Sequence, residues 1–293
     1  MKQKVLVVGA GGQLGREMLL AGDHRFECAA LTRQELDIGD AVAVVYALSA
    51  HRPQVVINAA AYTKVDMAEI DADAAFRANA EGPGNLARAC LAQKIRLIHV
   101  STDFVFDGES SHPYQPSAPT APLNEYGRGK LAGEQAVLSV APGALVMRTG
   151  WVYSRFGGNF VKSMLRLMAE RDELSIVADQ VGTPTWARGL AAALWAATAR
   201  PALSGIYHWS DEGQCSWYEF AVAIYEEASN LGLLEHPVTI RPIKSSEYPT
   251  PARRPAYSVL DKTASWRELE LSGVPWRSQL AAMLADMKAS LNE

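Results

Sequence analysis

Lys4-Val-Leu-Val-Val-Gly-Ala-Gly-Gly-Gln-Leu-Gly15 decides the fold. Its first five residues form a short apolar run, too short for a helix, that ends in a glycine cluster and reads as a buried parallel strand. The glycines do not fit Gly-x-Gly-x-x-Gly, because the last position of that pattern is Leu14. They fit Gly-x-x-Gly-x-x-Gly at Gly9, Gly12 and Gly15. The first glycine suits a tight turn, the second a close approach of backbone to a pyrophosphate, the third the packing of helix on strand. Gln13 to Ala21 follows with helical patterning, and a helix start offers free N–H groups and partial positive charge to an anion. With a strand before and a helix after, the run predicts a dinucleotide-binding turn rather than a merely flexible one.

Working outward, the same alternation repeats. A second strand, Glu27 to Leu31, leads through Thr32-Arg33 to Leu36-Asp37-Ile38; Asp40 to Ala50 reads as a helix and Val55 to Asn58 as a third strand. A helix-rich stretch from Met67 to Gln93 is expected to break at Gly82-Pro83-Gly84. Arg96 to Ser101 is another strand, 107–122 an exposed loop rich in Pro, Ser and Gly, Tyr126 to Val140 a helix and Ala144 to Arg148 a further strand. Strands alternating with helices predict an α/β, Rossmann-like doubly wound parallel sheet over residues 1–150, an NAD(P)-binding domain. After Gly150 strands become fewer, tryptophans concentrate and prolines punctuate 237–255. Residues 151–293 are expected to form a smaller mixed α/β substrate-binding domain, interleaved so that some segments return to the first.

The composition, 48% hydrophobic and 20% charged, is that of a globular chain with a sizeable core. A net charge of -4 lacks the basic balance of a nucleic-acid or membrane-surface protein; the thin basic spot at Arg253-Arg254 would suit a small anion. Cys28, Cys90 and Cys215 are expected to be free, buried thiols of a reducing compartment. Met-Lys-Gln-Lys enters the first strand directly, leaving no expected signal peptide, and no apolar stretch reaches the roughly 18 residues that span a bilayer. The six histidines show no metal-ligand spacing. The expectation is a cytoplasmic protein with no metal site.

Tyr126 and Lys130 are four residues apart, one turn of one helix face. A phenol beside an ammonium is expected to release its proton more easily, which would make Tyr126 an acid or base near neutral pH. Ser101-Thr-Asp-Phe-Val-Phe-Asp-Gly108 leaves the fourth strand at its carboxyl end, where open α/β sheets bind ligands. There Thr102 could donate to a substrate carbonyl, and Asp103 could hold a sugar hydroxyl or brace the turn. Thr32-Arg33, with no carboxylate before Glu35, favours NADPH over NADH: an acid would hold a ribose 2′-hydroxyl, whereas an arginine accommodates a 2′-phosphate. Asp37-Ile38 falls where a loop could meet the adenine. Asn58-Ala-Ala-Ala-Tyr-Thr63 leaves the third strand with three small residues that would let backbone lie close to the cofactor.

The glycine pattern, the Ser-Thr-Asp strand end and Tyr-x-x-x-Lys, in that order, resemble the extended short-chain dehydrogenase/reductases. Further runs extend the resemblance over nearly the whole chain: Asn58-Ala-Ala-Ala-Tyr-Thr-Lys-Val-Asp66, Pro122-Leu-Asn-Glu-Tyr-Gly127, Arg148-Thr-Gly-Trp-Val-Tyr153, Asp179-Gln-Val-Gly-Thr-Pro-Thr185 and Arg254-Pro-x-x-Ser258 with Leu260-Asp261. They are most similar to the branch of that family acting on dTDP-linked 4-keto deoxysugars. The resemblance implies an oxidoreductase that uses NADPH or NADH to reduce the C4 ketone of dTDP-4-dehydro-6-deoxy-L-mannose to dTDP-L-rhamnose. Tyr126 would be the acid, Lys130 would hold the nicotinamide ribose, and Thr102 would take the position of the carbonyl ligand. Asp103 and Trp151 match residues of the sugar-nucleotide pocket; Gly12, Gln13, Leu14, Asp37, Ile38, Ala61, Tyr62 and Thr63 match positions lining the cofactor. Other readings in the same family are a different nucleotide-sugar reductase or epimerase, or a non-catalytic subunit like the regulatory subunit of methionine adenosyltransferase. Some members form homodimers bridged by a metal on glutamates. Glu17 matches one such position but Arg188 stands at another, where an arginine would repel the cation, so the resemblance leaves a homodimer open and a metal bridge unsupported.

Overall fold

The computed structural model describes residues 2–291. Its centre is a six-stranded sheet, parallel throughout, built from β1 (Gln3–Val8), β2 (Phe26–Leu31), β3 (Val55–Asn58), β4 (Arg96–Thr102), β5 (Leu145–Thr149) and a strand from much later in the chain, Gly205–His208. Helices lie on both faces: α1 (Gln13–Ala21) and, on the other side, α2 (Ala41–His51). Between β3 and β4 come α3 (Val65–Ala68), α4 (Ala72–Phe76) and α5 (Gly82–Ala92); α6 (Glu125–Val140) precedes β5. From β1 the chain adds β2 on one side and returns to add β3 on the other. That reversal opens a crevice at the carboxyl ends of β1 and β3, where such sheets take ligands.

Alternation along β1 shows why the opening run is apolar at every position. Val5 and Val7 join a core with Leu14 and Met18 of α1, while Leu6 and Val8 join a second core with Val44 and Leu48 of α2 and Leu86 of α5. A strand covered on both faces cannot show the polar alternation of a half-exposed one.

The second lobe contains β6 (Val152–Tyr153), α7 (Phe160–Glu170), β7 (Glu173–Val177), β8 (Val181–Gly182), β9 (Thr185–Trp186), β11 (Cys215–Ser216), α9 (Trp217–Asn230), β12 (Thr239–Ile243) and α11 (Trp276–Leu291). Its strands pair two by two, β7 with β12, β8 with β11 and β6 with β9. A core of Val161, Met164, Phe220, Ile224 and Leu284 holds them together. Between these elements the chain returns to the first lobe. Helix α8 (Ala187–Thr198) buries Leu190, Leu194 and Trp195 with α1 and β1, the late strand β10 (Gly205–His208) pairs with β5, and α10 (Thr263–Leu269) adds Leu269 to the same core. No helix among the described residues is long and apolar enough to cross a membrane.

Two local expectations change. The helix-rich stretch does not break at Gly82-Pro83-Gly84, because Pro83 falls in the first turn of α5, where its missing N–H costs little. The irregularity precedes it, as one wide π turn at Arg77–Glu81. Of the three free cysteines, Cys90 and Cys215 are buried but Cys28 is exposed.

Helix α6 begins at Asn124, whose Oδ1 accepts from the Gly127 N–H at 2.8 Å. Its rotation is set by Glu134, which receives Nε of Arg148 on β5 at 2.9 Å and Nη2 at 2.7 Å. Both side chains are almost wholly buried, at 2% and 3% exposure. Pro116 O accepts from Arg148 at 3.3 Å, and the Phe106 ring lies 5.1 Å from its guanidinium carbon. Truncating Glu134 leaves a buried, unpaired guanidinium. Glu134→Ala is expected to lower stability by about 3–5 kcal/mol, read from the denaturant midpoint; an unchanged midpoint would refute the role given to the pair.

Candidate active site

Thr102 ends β4, Tyr126 and Lys130 lie on the first turns of α6, and the two elements pack against each other. Thr102 is near enough to the Tyr126 phenol to influence its acidity, and its hydroxyl donates to Asp103 Oδ1 at 3.0 Å and accepts from the Phe104 N–H at 3.2 Å. The Phe104 ring meets the Tyr126 ring edge-on, centroids 5.7 Å apart. Lys130 is buried and donates from Nζ to the Val100 carbonyl at 2.7 Å. The structure therefore brings together four of the predicted residues, Thr102, Asp103, Tyr126 and Lys130.

Their acidities correct one expectation. Burial pushes the Tyr126 phenol up to about 12; the nearby Thr102 hydroxyl opposes this and the Asp103 charge adds to it. Burial also pulls Lys130 down to about 8, opposed by Glu134 one turn along. Desolvation penalises both charged forms, and it outweighs the help that the ammonium was expected to give the phenolate. Tyr126 thus keeps its proton throughout the physiological range. Burial raises Asp103 to about 6, opposed by the nearby Ser258 side chain and the Thr102 hydroxyl, and its Oδ2 has no partner.

The glycine turn lies at the crevice. Gly9 has φ +84°, and a Cβ there would stand 2.5 Å from the Ala60 nitrogen; one on Gly15 would stand 2.5 Å from the Gly9 carbonyl oxygen. Gly12 is the N-cap of α1. A cavity of about 350 Å³ lies beside the turn, lined among others by Gly9, Gly12, Arg33, Asp37, Ile38, Ala61 and Tyr62. The remaining predicted cofactor residues do not line it. Gln13 faces the second lobe, accepting from Asn159 Nδ2 at 2.8 Å; Leu14 and Gly15 are buried behind the turn; Thr63 is exposed.

The residues suit a dinucleotide. Helices α2, α6, α7 and α9 are each capped by a side chain, from Asp40, Asn124, Asn159 and Ser216. Helix α1 has no side-chain cap and no acid in its first turn, so its leading N–H groups keep their positive end for an anion. Glu35, the nearest carboxylate after β2, is engaged by the Thr32 N–H and hydroxyl, both at 2.8 Å, while Arg33 is exposed at the cavity.

Several residues at the site carried no sequence signal. Arg77 lines the cavity and pairs with Asp37 at 2.8 Å across 40 positions. Asn79, inside the π turn, clamps the Tyr62 backbone with bonds of 2.8 and 3.0 Å, holding the loop after β3 in place. Ser258 belongs to a run quoted for the family resemblance, without a role. Arg254, read as a free basic spot, is paired bidentately with Asp66 at 3.0 and 2.7 Å, leaving Arg253 exposed.

The sequence matches the RmlD substrate binding domain family over residues 3–289. It is 40% identical to a dTDP-4-dehydrorhamnose reductase of Aggregatibacter actinomycetemcomitans, over 94% of this chain and 97% of that one. It is also 40% identical to a dTDP-4-keto-6-deoxy-D-glucose reductase of Streptomyces niveus, over 94% and 93%. Among solved structures, a dTDP-4-dehydrorhamnose reductase of Bacillus anthracis in complex with NADP superposes with a TM-score of 0.92 at 35% identity, covering 98% of this chain and all of that one.

The position of Arg33 makes a direct prediction. Arg33→Ala is expected to weaken NADPH binding about ten-fold, the loss of one charge-assisted contact, and to leave NADH nearly unchanged, as measured by titration of each reduced cofactor. Equal losses for the two would remove Arg33 from 2′-phosphate recognition.

Proposed function

The chain belongs to the dTDP-4-dehydrorhamnose reductase family, within the extended short-chain dehydrogenase/reductases, and on that footing we infer that it reduces the C4 ketone of dTDP-4-dehydro-6-deoxy-L-mannose to dTDP-L-rhamnose with NADPH or NADH. The observation that carries this reading is the meeting of Thr102, Tyr126 and Lys130 where β4 ends and α6 begins, in a chain whose glycine turn borders a separate cavity.

When bound, the reduced nicotinamide supplies the hydride that C4 of the sugar accepts. The first turn of α1 would hold the pyrophosphate, Arg33 the 2′-phosphate, and Asp37 with Ile38 the adenine side. As C4 gains the hydride, negative charge grows on its oxygen, and Tyr126, still protonated, gives that oxygen its proton. Thr102 donates a hydrogen bond to the same oxygen; its single proton turns away from Asp103 to do so. Lys130 places a positive charge under the site and would hold the nicotinamide ribose. Asp103 and Trp151 are assigned to the sugar. A pocket closed by the second lobe would exclude water and strengthen each of these interactions.

The relative from Streptomyces niveus, named for another 4-keto deoxysugar, matches at the same identity. Hydride transfer to C4 is common to both names; choice of sugar is assigned to the second lobe, 151–293 less the segments that return to the sheet. In that lobe's contact with α1, Glu17 is fully buried and accepts from Ser154 Oγ at 2.7 Å and from Arg188 Nε at 3.1 Å, while Arg188 also binds Asp286 at 2.8 Å. The guanidinium takes the place between carboxylates that a bridging cation would need, so any homodimer of this chain is assigned a metal-free contact.

With NADPH and dTDP-4-dehydro-6-deoxy-L-mannose, the protein is expected to consume the reduced cofactor, and Tyr126→Phe to slow turnover by roughly 100-fold or more. No consumption by the wild type sinks the reading. The rate should also be level below pH 8 and decline above it, because Lys130 loses its charge as pH rises through about 8 while Tyr126 keeps its proton to about 12. A profile level to pH 10 would remove the Lys130 charge from the mechanism.

A further inference from the structure

Among the described residues, four other than glycine have positive φ: Arg52, Lys94, Trp151 and Glu270. Arg52 and Glu270 cap the ends of α2 and α10, and Lys94 follows the cap of α5, places where a left-handed residue commonly ends a helix. Trp151, with φ 49°, joins two strands instead, β5 and β6. For a bulky side chain this conformation is a genuine outlier, and such strain persists only where the surroundings over-determine it.

The surroundings of Trp151 do so. Its ring stacks face to face on Trp217, centroids 3.4 Å apart and planes within 4°. Indole quadrupoles prefer offset or edge-on arrangements, so this geometry is imposed by packing. Trp217 opens α9 directly after the Ser216 cap and is held from its own side by Phe160 at 4.5 Å. Gly182 completes the enclosure, because a Cβ there would stand 2.5 Å from Trp151 Cε2. The Trp151 carbonyl accepts from the Thr185 N–H at 3.1 Å. On the other side of the same turn, a Cβ on Gly150 would strike the Asp103 carboxylate at 2.6 Å. Both indoles remain half-exposed. A strained residue thus links the catalytic strand ends to the second lobe, and Trp217 holds its ring.

We propose that Trp217 is a positioning residue for the substrate, acting through Trp151: the stack fixes the one orientation in which the Trp151 indole meets the sugar of the nucleotide sugar. The proposal rests on the reductase reading above and assigns Trp217 no contact with the reacting atoms. A core tryptophan would influence stability alone; a positioning one influences substrate affinity.

The test compares the full-length enzyme with Trp217→Leu, Trp217→Phe, Trp151→Phe and the double variant Trp151→Phe/Trp217→Leu, assayed with NADPH and dTDP-4-dehydro-6-deoxy-L-mannose. Trp217→Leu is expected to raise the substrate KM about ten-fold, equivalent to about 1.4 kcal/mol, and to leave the NADPH KM and the fall in rate near pH 8 unchanged. The exciton couplet that two face-to-face indoles give in circular dichroism should vanish. Trp217→Phe, which keeps a ring but shortens the overlap, is expected to raise the substrate KM about three-fold. The double variant should be no worse than Trp151→Phe, because both changes break the same contact. An unchanged or lowered substrate KM in folded Trp217→Leu overturns the proposal; if that variant does not fold, an unchanged KM in Trp217→Phe does. Either result with an active wild type leaves the reductase reading standing, whereas an inactive wild type overturns that reading and the proposal together.

Discussion

The Arg148–Glu134 ion pair is the constraint on which the site depends. A buried guanidinium must be matched donor for donor, and Arg148 is met by the Glu134 carboxylate, the Pro116 carbonyl and the Phe106 ring. Glu134 follows Lys130 by four residues and Tyr126 by eight, so all three share one face of α6. Binding Glu134 to β5 therefore turns the phenol and the ammonium toward the neighbouring strand β4, where Thr102 and the Val100 carbonyl lie. The same strand β5 runs on into Gly150 and Trp151, so one pair of charges aligns both the Tyr126 phenol and the entry to the second lobe.

Burial then decides the chemistry of the aligned groups. It holds Tyr126 near 12, Lys130 near 8 and Asp103 near 6, each displaced toward its uncharged form. For a reduction this is the useful direction in Tyr126: an acid that stays protonated is always ready to give its proton to an oxygen gaining negative charge. The ammonium of Lys130 acts as a fixed positive charge under the site rather than as the agent that ionises the phenol.

Where apolar pattern and turn chemistry act locally, the fold was legible in the chain. Val5 to Val8 read as a two-sided strand because every residue is buried, and Gly9 read as a turn because backbone from the next strand allows no Cβ. Thr102, Asp103, Tyr126 and Lys130 were legible because strand ends and one helix turn bring them together over short distances. Other features were hidden. The break expected at Pro83 moved to Arg77–Glu81, since a proline in the first turn of a helix gives up an N–H that would be unpaired anyway. Arg254 read as a free cation because its partner, Asp66, lies 188 positions away. Trp217 gave no signal, since an indole beside a helix cap has the same sequence pattern whether it fills a core or stacks on an active-site neighbour.

The sequence by itself determined the glycine turn, the parallel sheet, the Thr102, Tyr126 and Lys130 set and the position of Arg33 after the second strand, because each is written in residues close along the chain or repeated with the period of its element. Tertiary structure alone decided the acidity of Tyr126, the strained stack of Trp151 on Trp217, and the closing of Glu17 by Arg188. Those depend on desolvation and on side chains tens to hundreds of positions apart, and neither quantity exists until the chain has folded around them.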